Sequence, residues 1–138
     1  MYLNCHSWFS FKYGVMKPEA LLEEAAKAGV RSFALTDIHC SAGIPDLVRD
    51  AQRRFGIRPV AGIEFRQGPK LLYIGIAKSN EGFQQLNELL SPCLLDDAPL
   101  PERAPELDEA FFIYPFGYAP QQLKPNERVG IKPSDLTR

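Results

Sequence analysis

The sequence has few cysteines and no long apolar run. Cys5, Cys40 and Cys93 are its three cysteines and form no CxxC pair, which argues against a disulfide framework and a structural zinc knuckle. No stretch approaches the roughly 20 apolar residues that span a bilayer. The N-terminus has neither the basic region nor the apolar segment of a signal peptide. We therefore expect a cytoplasmic protein with no membrane partner.

A large charge of either sign is also absent. The net charge is −1, from 16 Lys and Arg against 17 Asp and Glu, so nucleic-acid binding would need a local basic patch. The chain of 138 residues, 45% of them hydrophobic, is long enough to bury a core of its own.

Strand and helix patterns alternate through the first two thirds of the chain. Helices are predicted at Pro18–Gly29, at Pro45–Phe55 and from Asn80 or Glu81 to about Leu90. Strands are predicted at residues 1–5, 32–36, 58–63 and 70–77. This order predicts an α/β fold built of βαβ units with a largely parallel sheet over residues 1–91.

The organisation changes after Ser91. The proline-rich residues 92–109 are predicted to form a loop, and residues 110–138 to form further short strands. A helix with Ser134 as its N-cap is predicted to begin just before the end. Because the chain stops inside that element, we expect a fragment of a longer protein.

Three side chains with metal-binding chemistry follow predicted strands. His6, Asp37 and Glu64 each stand at the carboxyl end of one strand, and such ends gather at one face of a parallel fold. One imidazole and two carboxylates suit a divalent ion such as zinc or manganese. The sequence therefore predicts an incomplete metal site.

The same residues carry a family resemblance. Asn4–Ser10 followed by Gly14 resembles the opening motif of the polymerase and histidinol phosphatase (PHP) superfamily, His-x-His-Thr/Ser with an aromatic, a serine and a glycine. Leu35–Asp37 resembles the Thr-Asp-His motif, and Val60–Glu64 the Gly-x-Glu motif. Together with Ala77–Phe83, the spacing is most similar to the amino-terminal PHP domain of the bacterial DNA polymerase III alpha subunit.

The resemblance implies a PHP-type (β/α)7 barrel, of which this chain holds about the first half. It implies that His6, Asp37 and Glu64 are ligands of zinc, manganese or magnesium. Two positions depart from the motifs, because Asn4 replaces the first histidine and Ile38 the histidine after aspartate. His39 comes one position late and is a weak substitute. We therefore expect weak metal binding, or none.

Other interpretations of these residues stay open. His6 could be a hydrogen-bonded histidine, Asp37 a turn cap, and Glu64 the partner of Arg66 in a surface salt bridge. Four aromatic residues at positions 8–13 could stack on bases, although closing the barrel mouth or contacting a neighbouring domain is favoured.

Three functions remain, and the resemblance favours the first. In the first, the chain would be a scaffold within a replicative DNA polymerase. It would bind the rest of the alpha subunit and a proofreading exonuclease, and it would reach DNA through the parent protein. Alternatively it is a metal-dependent phosphoesterase with 3′-5′ exonuclease or pyrophosphatase activity, or an independent phosphatase of the histidinol-phosphate type. Whether the chain is itself an enzyme stays open.

Overall fold

The computed structural model describes residues 1–137, which fall into two compact units that divide between Glu64 and Phe65. Both combine helices and strands, as the α/β prediction requires. No helix in residues 1–137 is long and apolar enough to cross a membrane.

The first unit is a parallel sheet with two helices. Strands β1 (Tyr2–Cys5), β2 (Ser32–Leu35) and β3 (Arg58–Gln67) lie side by side in that order. Helices α1 (Pro18–Lys27) and α2 (Ile44–Phe55) connect them. The ranges agree with the predicted ones to within a few residues.

Local sequence explains the helix boundaries. Each helix has proline in its first turn and an acidic residue beside it, where both are favourable. Gly56 ends α2 in the left-handed conformation at φ 63°, which glycine adopts without strain. Leu22 of α1 and Leu47 of α2 are fully buried, as is Phe33 of β2.

The second unit contains β4 (Lys70–Ala77), α3 (Asn80–Asp96), β5 (Ala110–Pro115) and β6 (Glu127–Gly130). Its core is aromatic: the ring of Tyr73 lies 5.3 Å from Phe65, 5.3 Å from Phe112 and 5.8 Å from Tyr114, between centroids. Strand β5 pairs antiparallel with β4 and parallel with β6. The β4–β5 pair is therefore an exception to the predicted largely parallel sheet.

Helix α3 is longer than predicted. It continues through Pro92 to Asp96, so the predicted loop at 92–109 was wrong for its first five residues. Proline removes a backbone donor, yet the helix continues past it. In the same stretch the Asn87 side chain donates to the carbonyl of Phe83 at 2.9 Å, and the Ser91 hydroxyl to that of Asn87 at 2.8 Å.

The other corrections concern element ends. Strand β3 runs to Gln67, so Glu64 lies inside a strand, not after one as predicted. The helix predicted with Ser134 as its cap is a short 3₁₀ turn, Pro133–Asp135, and Lys132 takes the cap position.

Candidate functional site

The predicted site residues lie where the first unit's parallel strands bring successive segments together. His6 directly follows β1, and Asp37 comes two residues after β2. The segment after β2 stays beside β3, because the Glu64 amide donates to the Asp37 carbonyl at 3.1 Å and the His39 amide to the Glu64 carbonyl at 3.0 Å. The backbone thus fixes Asp37 and Glu64 on neighbouring segments.

His6 and Glu64 are in direct contact. Nε2 of His6 lies 2.7 Å from Oε2 of Glu64. The Glu64 side chain is fully buried, whereas that of His6 is 19% exposed. The interpretation of Glu64 as part of a surface salt bridge was therefore wrong. Burial of a carboxylate is costly without such partners, so the contact explains how Glu64 is accommodated.

Asp37 is held by the loop that follows β1. Its Oδ1 accepts hydrogen bonds from the Ser7 amide at 2.7 Å and the Ser10 hydroxyl at 2.6 Å. Its Oδ2 accepts one from the Ser7 hydroxyl at 2.6 Å. The Ser10 hydroxyl in turn accepts from the Ile38 amide at 2.9 Å. Both carboxylate oxygens are engaged within the protein.

Ser7 and Ser10 belong to this site, although the sequence analysis did not single them out. They are 0% and 1% exposed, unusual values for serine, and both bind Asp37. The serine positions of the opening motif were the available signal. Gly14 belongs to the same arrangement, since a Cβ there would lie 2.0 Å from the Ser7 carbonyl oxygen.

The donors in this arrangement do not fit a tight metal site. No group of three or more His, Cys, Asp and Glu side chains that could hold a metal ion occurs within residues 1–137. Oδ1 of Asn4 accepts from the Thr36 hydroxyl at 3.0 Å, and Ile38 has no donor atom. His39 is in the left-handed conformation at φ 48°. The ligand roles of His6, Asp37 and Glu64 stay predictions, and we derive no reaction step through a metal.

Two partly buried cysteines, Cys5 and Cys40, lie near the site. Burial raises the pKa of Cys5 to about 11, so this thiol stays protonated and weakly nucleophilic near neutral pH. Sγ of Cys40 accepts from the Ala42 amide at 3.5 Å. All three cysteines are free.

The chain belongs to the PHP domain family, because the sequence pattern of that family matches residues 3–116. The fold agrees with this assignment. An amidohydrolase from Chromobacterium violaceum, solved with bound sulfate and no metal, superposes with a TM-score of 0.50 at 24% identity. The match covers 67% of this chain and 34% of that one. The predicted α/β, PHP-type fold is confirmed.

Its curated relatives include error-prone DNA polymerases. That of Pseudomonas paraeruginosa is 39% identical over 93 residues, covering 64% of this chain and 9% of the polymerase. That of Burkholderia mallei is 35% identical over 101 residues, again covering 64% and 9%. The chain therefore spans less than a tenth of the length of these relatives. The predicted resemblance to a polymerase PHP domain is confirmed at this level.

Proposed function

We propose that this chain is the N-terminal part of a PHP domain in a bacterial DNA polymerase, where it is a scaffold with a degenerate metal site. The observation that carries the proposal is that both carboxylate oxygens of Asp37 are hydrogen-bonded within the protein. The family motif implies a metal ligand at this position. Here the Asp37 carboxylate instead accepts three hydrogen bonds from Ser7 and Ser10. The similarity to error-prone DNA polymerases is the reason for proposing a polymerase as the longer parent protein.

The remaining donors support the same function. Phosphoester hydrolysis by this class of site needs metal ions that clamp the phosphate and activate a water. His6 and Glu64 bond to each other at 2.7 Å, and Asn4 and Ile38 lack the imidazoles of the motif. The arrangement stabilises the segments after β1, β2 and within β3, which is what a scaffold requires.

The parent would extend primer 3′ ends with deoxynucleotides and magnesium in the cytoplasm. None of that chemistry is assigned to residues of this chain. Its partners would be the rest of the polymerase chain and a proofreading exonuclease subunit, with DNA bound through the parent. The similarity to error-prone DNA polymerases supports the polymerase alone; the exonuclease is part of the proposal.

An active phosphoesterase is the second candidate. The close His6–Glu64 pair favours it, because an imidazole and a carboxylate at 2.7 Å could be separated to take up one ion. In that case the protein would show manganese- or zinc-dependent 3′-5′ exonuclease, pyrophosphatase or histidinol-phosphatase activity that Asp37→Asn abolishes.

The mass of the endogenous protein tests the proposal. An antibody raised against this chain should detect a product many times larger than 15.5 kDa that co-purifies with primer-extension activity. The same purified parent should release no phosphate from nucleotide 3′ ends or pyrophosphate with manganese or zinc. A product close to the mass of this chain would exclude the polymerase, and metal-dependent turnover by the purified parent would establish the phosphoesterase.

A further inference from the structure

The loop between β1 and α1 presents a cluster of aromatic rings to solvent. We call Trp8–Val15 the aromatic loop. Trp8 is 48% exposed, Phe9 38%, Phe11 83% and Tyr13 56%. These rings are therefore open to solvent in this chain, and the expectation that they close the barrel mouth or contact a neighbouring domain stays a prediction. A contiguous exposed apolar surface usually marks a binding site.

The backbone that carries these rings is fixed. The Trp8 amide donates to the Met16 carbonyl at 2.8 Å, and the Tyr13 and Gly14 amides both donate to the Ser10 carbonyl at 2.9 Å. Ser10 itself is tied to buried Asp37. The rings thus have little backbone entropy to lose on binding, which favours affinity.

Glu19 is the first acidic residue of the sequence, so Lys12 of the aromatic loop and Lys17 after it are accompanied by no acidic residue along this segment. The carboxylate of Asp37, which bonds to Ser10, is buried. The Lys17 ammonium lies 4.9 Å from the Trp8 ring centroid, over the ring. Glu19 is itself paired with Arg54. Both lysines can therefore meet phosphates.

We propose that the aromatic loop binds single-stranded DNA by stacking bases on Trp8, Phe11 and Tyr13 while Lys12 and Lys17 contact phosphates. Exposed aromatic rings beside cationic side chains are how many proteins hold single strands without reading their sequence. An apolar protein partner would use the rings but gain nothing from two lysines with no acidic residue among them. The choice of DNA rests on the proposed function; the binding surface does not.

Trp8 is the only tryptophan of the chain, so its fluorescence reports stacking directly. The purified chain should show saturable quenching when titrated with a short oligothymidylate at low salt. The Phe11→Ala and Tyr13→Ala variants should each weaken binding by at least about fivefold. Lys12→Glu and Lys17→Glu should each lower the slope of log affinity against log salt by about 0.7.

Matched controls come from the second unit. Phe116→Ala removes a ring that is 50% exposed, and Lys70→Glu reverses an exposed lysine; neither should change the affinity. Absence of quenching, or quenching that Phe11→Ala and Tyr13→Ala leave unchanged, would overturn the proposal. Sedimentation that shows a dimer dissociated by Phe11→Ala would assign the surface to a second copy instead. None of these outcomes alters the mass of the endogenous protein, which tests the parent separately.

Discussion

The hydroxyl of Thr36 donates a hydrogen bond over 3.0 Å to Oδ1 of Asn4. Asn4 stands where the family motif has its first histidine, so the oxygen that could serve a metal instead links β1 to the segment after β2. The Thr36 amide also donates to the Cys5 carbonyl at 2.9 Å. The asparagine at this motif position is therefore integrated into the sheet.

Restoring both missing imidazoles should restore metal affinity. The Asn4→His, Ile38→His variant adds the two donors that zinc prefers to an amide oxygen or an alkyl group. We expect it to bind zinc at least about tenfold more tightly than the native chain, as measured by isothermal titration calorimetry. The native chain should bind far more weakly than a structural zinc site.

The control for added histidine is Val48→His, at a position of α2 that is 53% exposed. It should leave zinc affinity at the native value. Tight zinc binding by the native chain, or equal affinities of all three proteins, would show that the site is not degenerate in the way proposed.

Asp37→Asn should destabilise the chain whether or not metal is present. The amide keeps the shape of the carboxylate but loses its charge and an acceptor atom, leaving Ser7 and Ser10 imperfectly bonded in a buried place. Loss of such a network costs on the order of 2–4 kcal/mol. Urea unfolding in EDTA and in excess zinc should give the same decrease.

Asp108→Asn is the matched control, because Asp108 is exposed and its replacement should change the free energy of unfolding by less than about 0.5 kcal/mol. A metal ligand would behave differently: Asp37→Asn would then be neutral in EDTA and destabilising only with zinc.

The sequence predicts the elements of this chain better than their connections. Lys70–Ala77 is a strand with the predicted ends, because its apolar run leaves little choice. Its antiparallel pairing with β5 depends on a long-range contact that strand–helix alternation cannot reveal. Pro92 favours a loop in the sequence, but helix α3 continues through it to Asp96. The side chains of Asn87 and Ser91 donate hydrogen bonds to helix carbonyls just before it.

The candidate site shows the same division. The positions of His6 and Asp37 after their strands follow from motif and strand order, whereas Glu64 lies within β3. The hydrogen bonds of Asp37 could not be predicted, because they depend on how the segment after β1 turns Ser7 and Ser10 towards Asp37. That turn requires the absence of a side chain at Gly14, which the motif glycine indicates only after the fold is known.

Ile74→Ala should be strongly destabilising. Ile74 is 7% exposed and lies opposite Ile113 in the β4–β5 pair, so the smaller side chain leaves a cavity in the second unit. The expected cost is about 2–5 kcal/mol in chemical denaturation. Leu95→Ala, at a position that is 81% exposed, should cost less than about 0.5 kcal/mol. Similar losses in the two variants would place β4 at the periphery.

The buried carboxylate of Glu127 in β6 anchors the loop before β5. The Arg103 guanidinium donates to its two oxygens at 3.0 and 2.7 Å. The Tyr114 hydroxyl and the Lys124 amide add bonds of 3.0 and 2.8 Å. These donors, the arginine first, lower the pKa of Glu127 from its ordinary value of 4.5 to about 2.

This lowered pKa makes stability depend on acid in a defined range. Between pH 4.5 and about 2 the unfolded chain protonates Glu127 and the folded chain does not, so the contribution is complete above pH 4.5 and declines as pH falls. Glu127→Gln should lower the free energy of unfolding at neutral pH by on the order of 2 kcal/mol, since Arg103 is half-exposed and screened. It should also flatten the acid decline, followed by urea titrations at a series of pH values. Exposed Glu102→Gln should keep the native pH profile, and an equal flattening in both variants would contradict the assignment to Glu127.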